Sequence, residues 1–424
     1  MTQTTAAVLS IGTELTRGEI TNTNQSWLAS QLTALGVEVT HAETVADDPE
    51  DIIHSLKRLG EKHRLIVSTG GLGPTTDDLT SETVARLLGV PMLRDADSLA
   101  IIKQRVESYG NQLTPSNAKQ ADFPQGSKIL SNAVGSAPGF AVDIGKARAF
   151  FMPGVPHEMR TMFEKHVADF ARSLSPESHV AQVRLRSFGL PESKVNDLLA
   201  GVEEACDVIV GYRAHFPEIE VKLLARRKTP EEAQAAARAA ADETKQRLGD
   251  IVYGEGDAGL PEVVGQLLLE RGLSLVTAES CTGGLVSKLV TDIAGSSRYF
   301  TATAVTYTNA SKHYLLGVDQ QLLEAHGAVS AEVAGAMARG ALDRLGGDVS
   351  IALTGIAGPG GGTEEKPVGL VHYAVATKAG AVGPAAGLTQ GKLIFGRERE
   401  RVRTRAAWEA LALLRQVLLS GHAP

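Results

Sequence analysis

Ser280 lies in Thr277-Ala278-Glu279-Ser280-Cys281-Thr282-Gly283-Gly284, after an apolar run that reads as a strand. A serine at a strand-to-helix turn stands at a sheet edge with a helix N-terminus behind it. That suits a nucleophile, because free N–H groups and the helix dipole stabilise negative charge on an attacked carbonyl. A serine that only caps a helix is the commoner arrangement, and a base distinguishes the two. Lys312, in Tyr307-Thr308-Asn309-Ala310-Ser311-Lys312, is the candidate base. A lysine can act so if burial or a neighbouring cation lowers its pKa. Arg399 is the candidate for that cation, or for a phosphate ligand. Cys281 is the rival nucleophile, disfavoured because small buried cysteines are usually inert. A further run, Thr354-Gly355-Ile356-Ala357-Gly358-Pro359-Gly360-Gly361-Gly362, also follows a strand, with Lys366-Pro367-Val368-Gly369 soon after. Glycines there let backbone approach a ligand closely, and Thr354 can donate from the strand end.

A second constellation lies far upstream. Thr69-Gly70-Gly71-Leu72-Gly73-Pro74-Thr75-Thr76-Asp77-Asp78 sits between a strand and a helix. Backbone N–H groups of Gly70, Gly71 and Gly73 can converge on an anion. Asp77 and Asp78 are hard oxygen donors of the kind Mg²⁺ needs when it bridges protein and phosphates. A tight turn with an aspartate N-cap is the plain alternative. Two adjacent carboxylates exceed what one cap requires.

The elements that must carry these residues alternate. Thr5 to Ile11, Val37 to Thr44 and Leu65 to Thr69 read as strands; Asn24 to Leu35, Pro49 to Glu61 and Leu79 to Leu88 read as helices. Alternation of this kind predicts a doubly wound α/β unit with a parallel sheet, whose ligands bind beyond the strands' carboxyl ends. From about residue 173 to 254 the pattern becomes a small α+β unit. It has strands over Val183 to Phe188, Val208 to Tyr212 and Glu218 to Ala225, and helices over Glu192 to Cys206 and Thr229 to Leu248. A second α/β segment starts near Leu260, with strands over Leu273 to Ala278, Phe300 to Tyr307, Val349 to Thr354 and Val368 to Thr377. Ser280 is expected to open a helix. The predicted domains are 1–172, 173–254 and 255–424.

Composition narrows the function classes. The chain has 424 residues, with 42 Lys and Arg against 49 Asp and Glu, a net charge of −7. That balance disfavours sequence-independent nucleic-acid binding, which needs a basic surface. Two cysteines are too few for a disulfide framework or a Cys-based zinc site. Eleven histidines are scattered without metal-ligand spacing. There is no apolar run long enough to span a membrane and no secretory pattern at the start, so a cytoplasmic location is expected.

The upstream segment resembles the N-terminal domain of the CinA (competence/damage-inducible protein A) family, which is related to molybdopterin-binding domains. The matching stretches are Ile11 to Leu15 with Asn22-Thr23-Asn24, the Gly70 to Thr80 loop, Lys119-Gln120-Ala121, Gly135 to Phe140 and Met152 to Met159. The resemblance implies hydrolysis of ADP-ribose to AMP and ribose 5-phosphate with a divalent metal, Mg²⁺ or Co²⁺. Charge neutralisation and an oriented water are what such a reaction requires. Asp78 is the leading metal candidate, with Asp77, Glu14 and Glu158 behind it, and Lys119 is a candidate phosphate ligand.

The last segment resembles the same family's C-terminal domain, a nicotinamide-nucleotide amidase. The stretches are Ala278 to Gly284, Tyr307 with Lys312, Thr354 to Pro359, Lys366 to Gly369 and Phe395 to Arg403. The resemblance implies deamidation of NMN to nicotinate mononucleotide and ammonia, with no cofactor. It makes Ser280 the nucleophile, Lys312 the base and Tyr307 an aid to proton transfer, with Thr354 and Arg399 completing the site. Gly283, Gly284, Gly355 and Gly358 would lie against substrate. The family shows a glycine and an acidic residue ahead of the site arginine, and here Arg397 stands in the glycine's place. Arg399 follows by register from Phe395 and Arg403; Arg397 is the fallback. Arg401 and Arg403 read equally as a solvated helix start. The middle segment resembles the family's KH-like module but has no Gly-x-x-Gly nucleic-acid clamp. It reads as a spacer and dimerisation element, and a homodimer is what the resemblance implies. The competing reading is a regulatory adaptor of competence or DNA-damage response with a non-catalytic pterin- or nucleotide-binding N-terminal domain. An adaptor would tolerate loss of Ser280.

Overall fold

The first strand, β1 (Thr5–Ile11), is apolar on both faces, and both are covered. Ala6 and Val8 pack with Leu28 and Leu32 of α1 (Thr23–Ala34) on one side. Ala7, Leu9 and Ile11 pack with Ile52, Leu56 and Leu59 of α2 (Pro49–Lys62) on the other. A strand buried this way loses the polar alternation of a one-sided sheet. Helix α2 starts where its sequence says it should. Asp48 accepts hydrogen bonds from the backbone N–H groups of Glu50 and Asp51, and Pro49 fills the first turn.

The structure is a computed structural model that describes residues 5–396 and 398–420. By density of contacts the chain divides into two units, residues 1–181 with 225–236, and 182–224 with 237–424. The first holds a six-stranded sheet of β1, β2 (Glu38–Val45), β3 (Leu65–Thr69), β4 (Lys128–Leu130), β5 (Gly139–Ile144) and β6 (Ala147–Met152). Their order is β2-β1-β3-β6-β5-β4. β2, β1, β3 and β6 run parallel, and β5 pairs antiparallel with both β6 and β4. The wholly parallel sheet expected from the opening alternation is therefore mixed. The two-residue turn Gly145–Lys146 between β5 and β6 is too short for a crossover, so it can only make a hairpin. The chain moves to opposite sides of β1 on reaching β2 and β3. Such a switch point leaves a crevice at the strands' carboxyl ends.

A four-stranded antiparallel sheet follows, made of β7 (His179–Ser187), β8 (Ile209–His215), β9 (Glu218–Arg227) and β10 (Val252–Glu255), in the order β8-β9-β7-β10. The helix expected over Glu192 to Cys206 is two helices, Glu192–Leu198 and Val202–Cys206, broken at Gly201 in a left-handed conformation with φ 83°.

The third sheet belongs to the second unit. Its strands are β11 (Leu275–Glu279), β12 (Phe300–Val305), β13 (Val349–Gly355), β14 (Leu370–Thr377) and β15 (Gly387–Ile394), ordered β12-β11-β13-β14-β15. The first three are parallel, and β14 pairs antiparallel with both β13 and β15. Leu275 packs against α6 (Leu260–Arg271) and the long final helix; Val276 and Ala278 face the opposite layer. Here too β11 is flanked by β12 and β13, so its carboxyl end is a switch point. Ser280 is the next residue after it.

Candidate active sites

Ser280 is set by backbone on both sides. Its N–H donates to Leu353 O of β13 at 3.0 Å, and its carbonyl accepts from Gly283 N at 3.0 Å. Gly283 and Gly284 turn the chain there with φ of 60° and 95°, values costly for any side chain. Lys312 comes from α8 (Asn309–Leu316), whose start is fixed by a reciprocal Thr308–Ser311 capping box. Its Nζ donates to Ser280 Oγ at 3.0 Å and to Thr306 O at 2.8 Å. The lysine is only 1% exposed. Burial lowers its pKa; an ionised Cys281 would oppose that. Cys281 does not ionise near neutrality, because burial pushes its thiol up to about 12. The amine is thus biased toward the neutral form beside a hydroxyl, the arrangement a general base needs. Burial accounts for the lowering; the neighbouring cation weighed in the sequence does not contribute.

The expected helix start is corrected. Helix α7 spans Leu285–Thr291, and Ser280 belongs to the turn ahead of it. The buried Glu279 carboxylate takes the backbone N–H groups of Gly284, Val286 and Ser287 at 3.0, 3.1 and 2.8 Å, and the Ser287 hydroxyl as well. Those N–H groups are spent on Glu279 and are not free to stabilise charge developing beside Ser280. Glu279 acts by fixing the turn. Its legible signal was a carboxylate ending a buried strand just before a glycine pair.

Arg399 opens α10 (Arg399–Ser420). It donates to Gly358 O at 2.7 Å and to the Tyr307 hydroxyl at 2.6 Å. Tyr307 is 57% exposed, and its recorded partner is Arg399, not Lys312. The Thr354 hydroxyl donates to Ala328 O at 2.7 Å, so it serves the fold around the strand end. Gly355 is tightly packed, since a Cβ there would meet Val371 and Leu370 O within 2.7 Å. Arg403, read as part of a solvated helix start, donates to Thr282 O at 2.6 Å and so holds the turn that carries Ser280. Arg397 lies outside the described residues. The buried hydroxyls of Thr282 and Thr306 have no hydrogen-bond partner, which leaves two polar groups available beside Ser280 and Lys312.

In the first unit, a cleft of about 410 Å³ lies at the carboxyl ends of β1 and β3. Glu14, Asp77, Asp78 and Glu158 all line it, as do Gly70, Gly71 and Gly73. Gly70 has φ 109°, and a Cβ would fall 1.9 Å from Ile11 O, so close passage of two backbones demands glycine there. Neither aspartate caps α3 (Thr80–Leu88), whose N-cap is Leu79. Asp78 Oδ2 instead accepts from Thr75 N at 2.8 Å and Thr75 Oγ1 at 2.6 Å. Asp77 also accepts from Thr75, and that bond lowers its pKa. Lys119 Nζ donates to Asp78 O at 2.7 Å and lines a smaller hollow beside the cleft. It braces the acidic turn. Glu158 is held by Asn132 Nδ2 at 2.7 Å. Asp47, which the sequence did not single out, lines the cleft and accepts from Thr13 N at 2.7 Å.

Among the described residues no three acidic, histidine or cysteine side chains form a cluster able to hold a metal alone. The donors lining the cleft are nevertheless oxygens. Mg²⁺ commonly takes one or two carboxylates and completes its shell with water and substrate phosphate. The residues fit a hard cation shared with a phosphorylated substrate and do not form an all-protein cage.

Three family models match the chain. They are the "CinA C-terminal domain" over residues 257–418, the "Probable molybdopterin binding domain" over 7–173 and the "Damage-inducible protein CinA KH domain" over 182–254. The chain is 42% identical over 418 residues to a "CinA-like protein" of Anaeromyxobacter dehalogenans (strain 2CP-C), covering 97% of this chain and 99% of that one. The chain belongs to the CinA family. Another CinA-like protein, from Geobacter sulfurreducens, is 40% identical over 417 residues, 98% of this chain and 99% of its own. Among solved structures, the competence/damage inducible protein CihA of Agrobacterium tumefaciens is 39% identical, covering 38% of this chain and 96% of that one with a TM-score of 0.35. The protein CinA with unknown function from Thermoplasma acidophilum is 36% identical, covering 39% and 98% with a TM-score of 0.37. This CinA-family chain therefore combines a molybdopterin-binding-like N-terminal domain, a KH-like module and a CinA C-terminal domain. No helix among its described residues is long and apolar enough to cross a membrane.

Proposed function

We propose that the C-terminal site is an amidase that converts NMN and water to nicotinate mononucleotide and ammonia. The observation that carries this reading is the buried Lys312 amine 3.0 Å from Ser280 Oγ. Ser280 Oγ attacks the carboxamide carbon while its proton passes to the neutral Lys312. The resulting ammonium returns the proton to the departing nitrogen, which leaves as ammonia. Water then adds to the Ser280 ester with Lys312 again as base, releasing the carboxylate. Arg399 holds the substrate phosphate, positioned by Gly358 O and the Tyr307 hydroxyl.

The N-terminal cleft hydrolyses ADP-ribose to AMP and ribose 5-phosphate. A divalent cation, Mg²⁺ or Co²⁺, would there neutralise pyrophosphate charge. Asp78 and Asp77 are its first donors, with Glu14 and Glu158 across the cleft. Lys119 keeps the Asp78 turn in place. Support comes from five acidic side chains, Asp47 among them, and a glycine turn lining one cleft at a switch point.

The deciding experiment is ammonia release from NMN by the wild type and by Ser280→Ala. Release by the wild type with none from the variant supports the amidase. No release from either would remove NMN as substrate and favour the adaptor reading.

A further inference from the structure

We infer that the KH-like module is part of the amidase machinery: through Phe216 its β8–β9 hairpin holds the segment that presents Arg399, which makes Phe216 a positioning residue. The inference rests on the amidase reading for its kinetic consequence but not for its structural one.

Phe216 stands at the hairpin tip, between His215 and Glu218, and is 38% exposed. Its ring stacks on Phe395, with centroids 5.8 Å apart and planes at 25°. The Arg401 guanidinium lies over the other partner, 4.4 Å from the Phe216 ring. Phe395 follows β15 and is tied to Gly369 O through its N–H at 3.1 Å. Four residues later comes Arg399. The hairpin thus touches the chain on both sides of that arginine, at Phe395 before it and Arg401 after it.

The rest of α10 is fastened to the same module. Arg405 lies 4.3 Å over Phe188 and donates to Gly189 O at 3.3 Å. Trp408 packs on Phe188 and Tyr253, with centroids 5.5 and 6.0 Å away. Arg415 donates to Asp250 O and Val252 O, both at 3.0 Å. The helix so anchored supplies Arg399 to Tyr307 and Gly358, and Arg403 to Thr282 O in the nucleophile's turn. A pure spacer needs none of these contacts. A half-exposed aromatic at a hairpin tip is explained once it has a ring and a guanidinium to pack against.

The test is the full chain with Phe216→Ala and Phe216→Tyr, read by NMN kinetics and by hydrogen exchange in the first turn of α10. Arg399 touches substrate far from the bond that breaks, so its misplacement removes binding shared by ground and transition states. Phe216→Ala is expected to raise KM for NMN about 3- to 10-fold, the size of one aromatic contact, with kcat little changed. Exchange in that turn should accelerate, and Phe216→Tyr should restore both. Unchanged KM and exchange in the alanine variant would overturn the inference. So would a fall in kcat with general loss of protection that tyrosine does not rescue. If the wild type releases no ammonia, the amidase reading fails on its own. The exchange comparison then still decides whether Phe216 holds this turn.

Discussion

Replacing Lys312 by methionine should abolish amidase turnover while changing stability in a pH-dependent way whose sign is fixed by burial. Methionine keeps a similar length without the charge. Lys312 is 1% exposed and its pKa is lowered by burial from the ordinary 10.5. Between the folded and unfolded pKa values the unfolded chain binds more protons, so wild-type stability rises with pH across that interval. The cost of housing the amine is complete below the folded pKa and vanishes above the unfolded one. Methionine carries no such cost at any pH. It does strip Thr306 O of a donor at 2.8 Å, and an unpaired buried carbonyl costs about 1–3 kcal/mol. The stability of the variant relative to wild type should therefore be most favourable below the folded pKa of Lys312 and should worsen as pH rises toward the ordinary 10.5. Turnover should fall by about 10²–10⁴, the usual contribution of a general base. That corresponds to roughly 3–5 kcal/mol of barrier. Wild-type kcat/KM should rise with pH through an ionisation below that of an ordinary lysine. Ammonia release and urea unfolding, each measured across pH, check both halves. A variant that keeps more than about a tenth of wild-type turnover would show that Lys312 is not the base. A stability difference that does not move with pH would show that the amine is not depressed.

Three other outcomes follow from the same geometry. Cys281→Ala should retain most ammonia release, and wild-type Cys281 should resist thiol reagents until unfolding, since its thiol is pushed up to about 12; peptide mapping after labelling reads this directly. Glu279→Gln should lose about 2–4 kcal/mol, because the amide NH2 replaces one of the two oxygens that share the three backbone N–H groups and sets donor against donor there; an unaltered urea midpoint would mean the cap does not hold the turn. Asp78→Ala should stop AMP production from ADP-ribose and leave deamidation intact, and hydrolysis that persists in EDTA would remove the metal role given to Asp78.

Much of the candidate sites' framework was legible because it is local. Ser280 and the Gly283–Gly284 pair lie within one turn, and strand runs such as Leu65–Thr69 are apolar because both faces are covered. The Gly70 turn was visible for the same reason, although the need for glycine comes from Ile11 O, which the sequence does not place. Residues that work by holding others were not legible. Asp47 and Asn132 act through backbone groups or side chains that become neighbours only on folding. Arg403 looked like a solvated charge because a charge pattern does not tell which helix face meets another loop.

By itself the sequence determined the alternating elements, the residue types able to do chemistry and the family to which the chain belongs. Those follow from periodicity and short motifs, which depend on near neighbours along the chain. The tertiary structure alone decided that Lys312 is buried against Ser280, that the N–H groups of α7 are spent on Glu279, and that Lys119 braces a turn. It also decided that Phe216 lies on Phe395. The Glu279 contacts are near in sequence but need the turn that the closed sheet imposes; the others join residues far apart in the chain, and those contacts exist only once the sheets have closed.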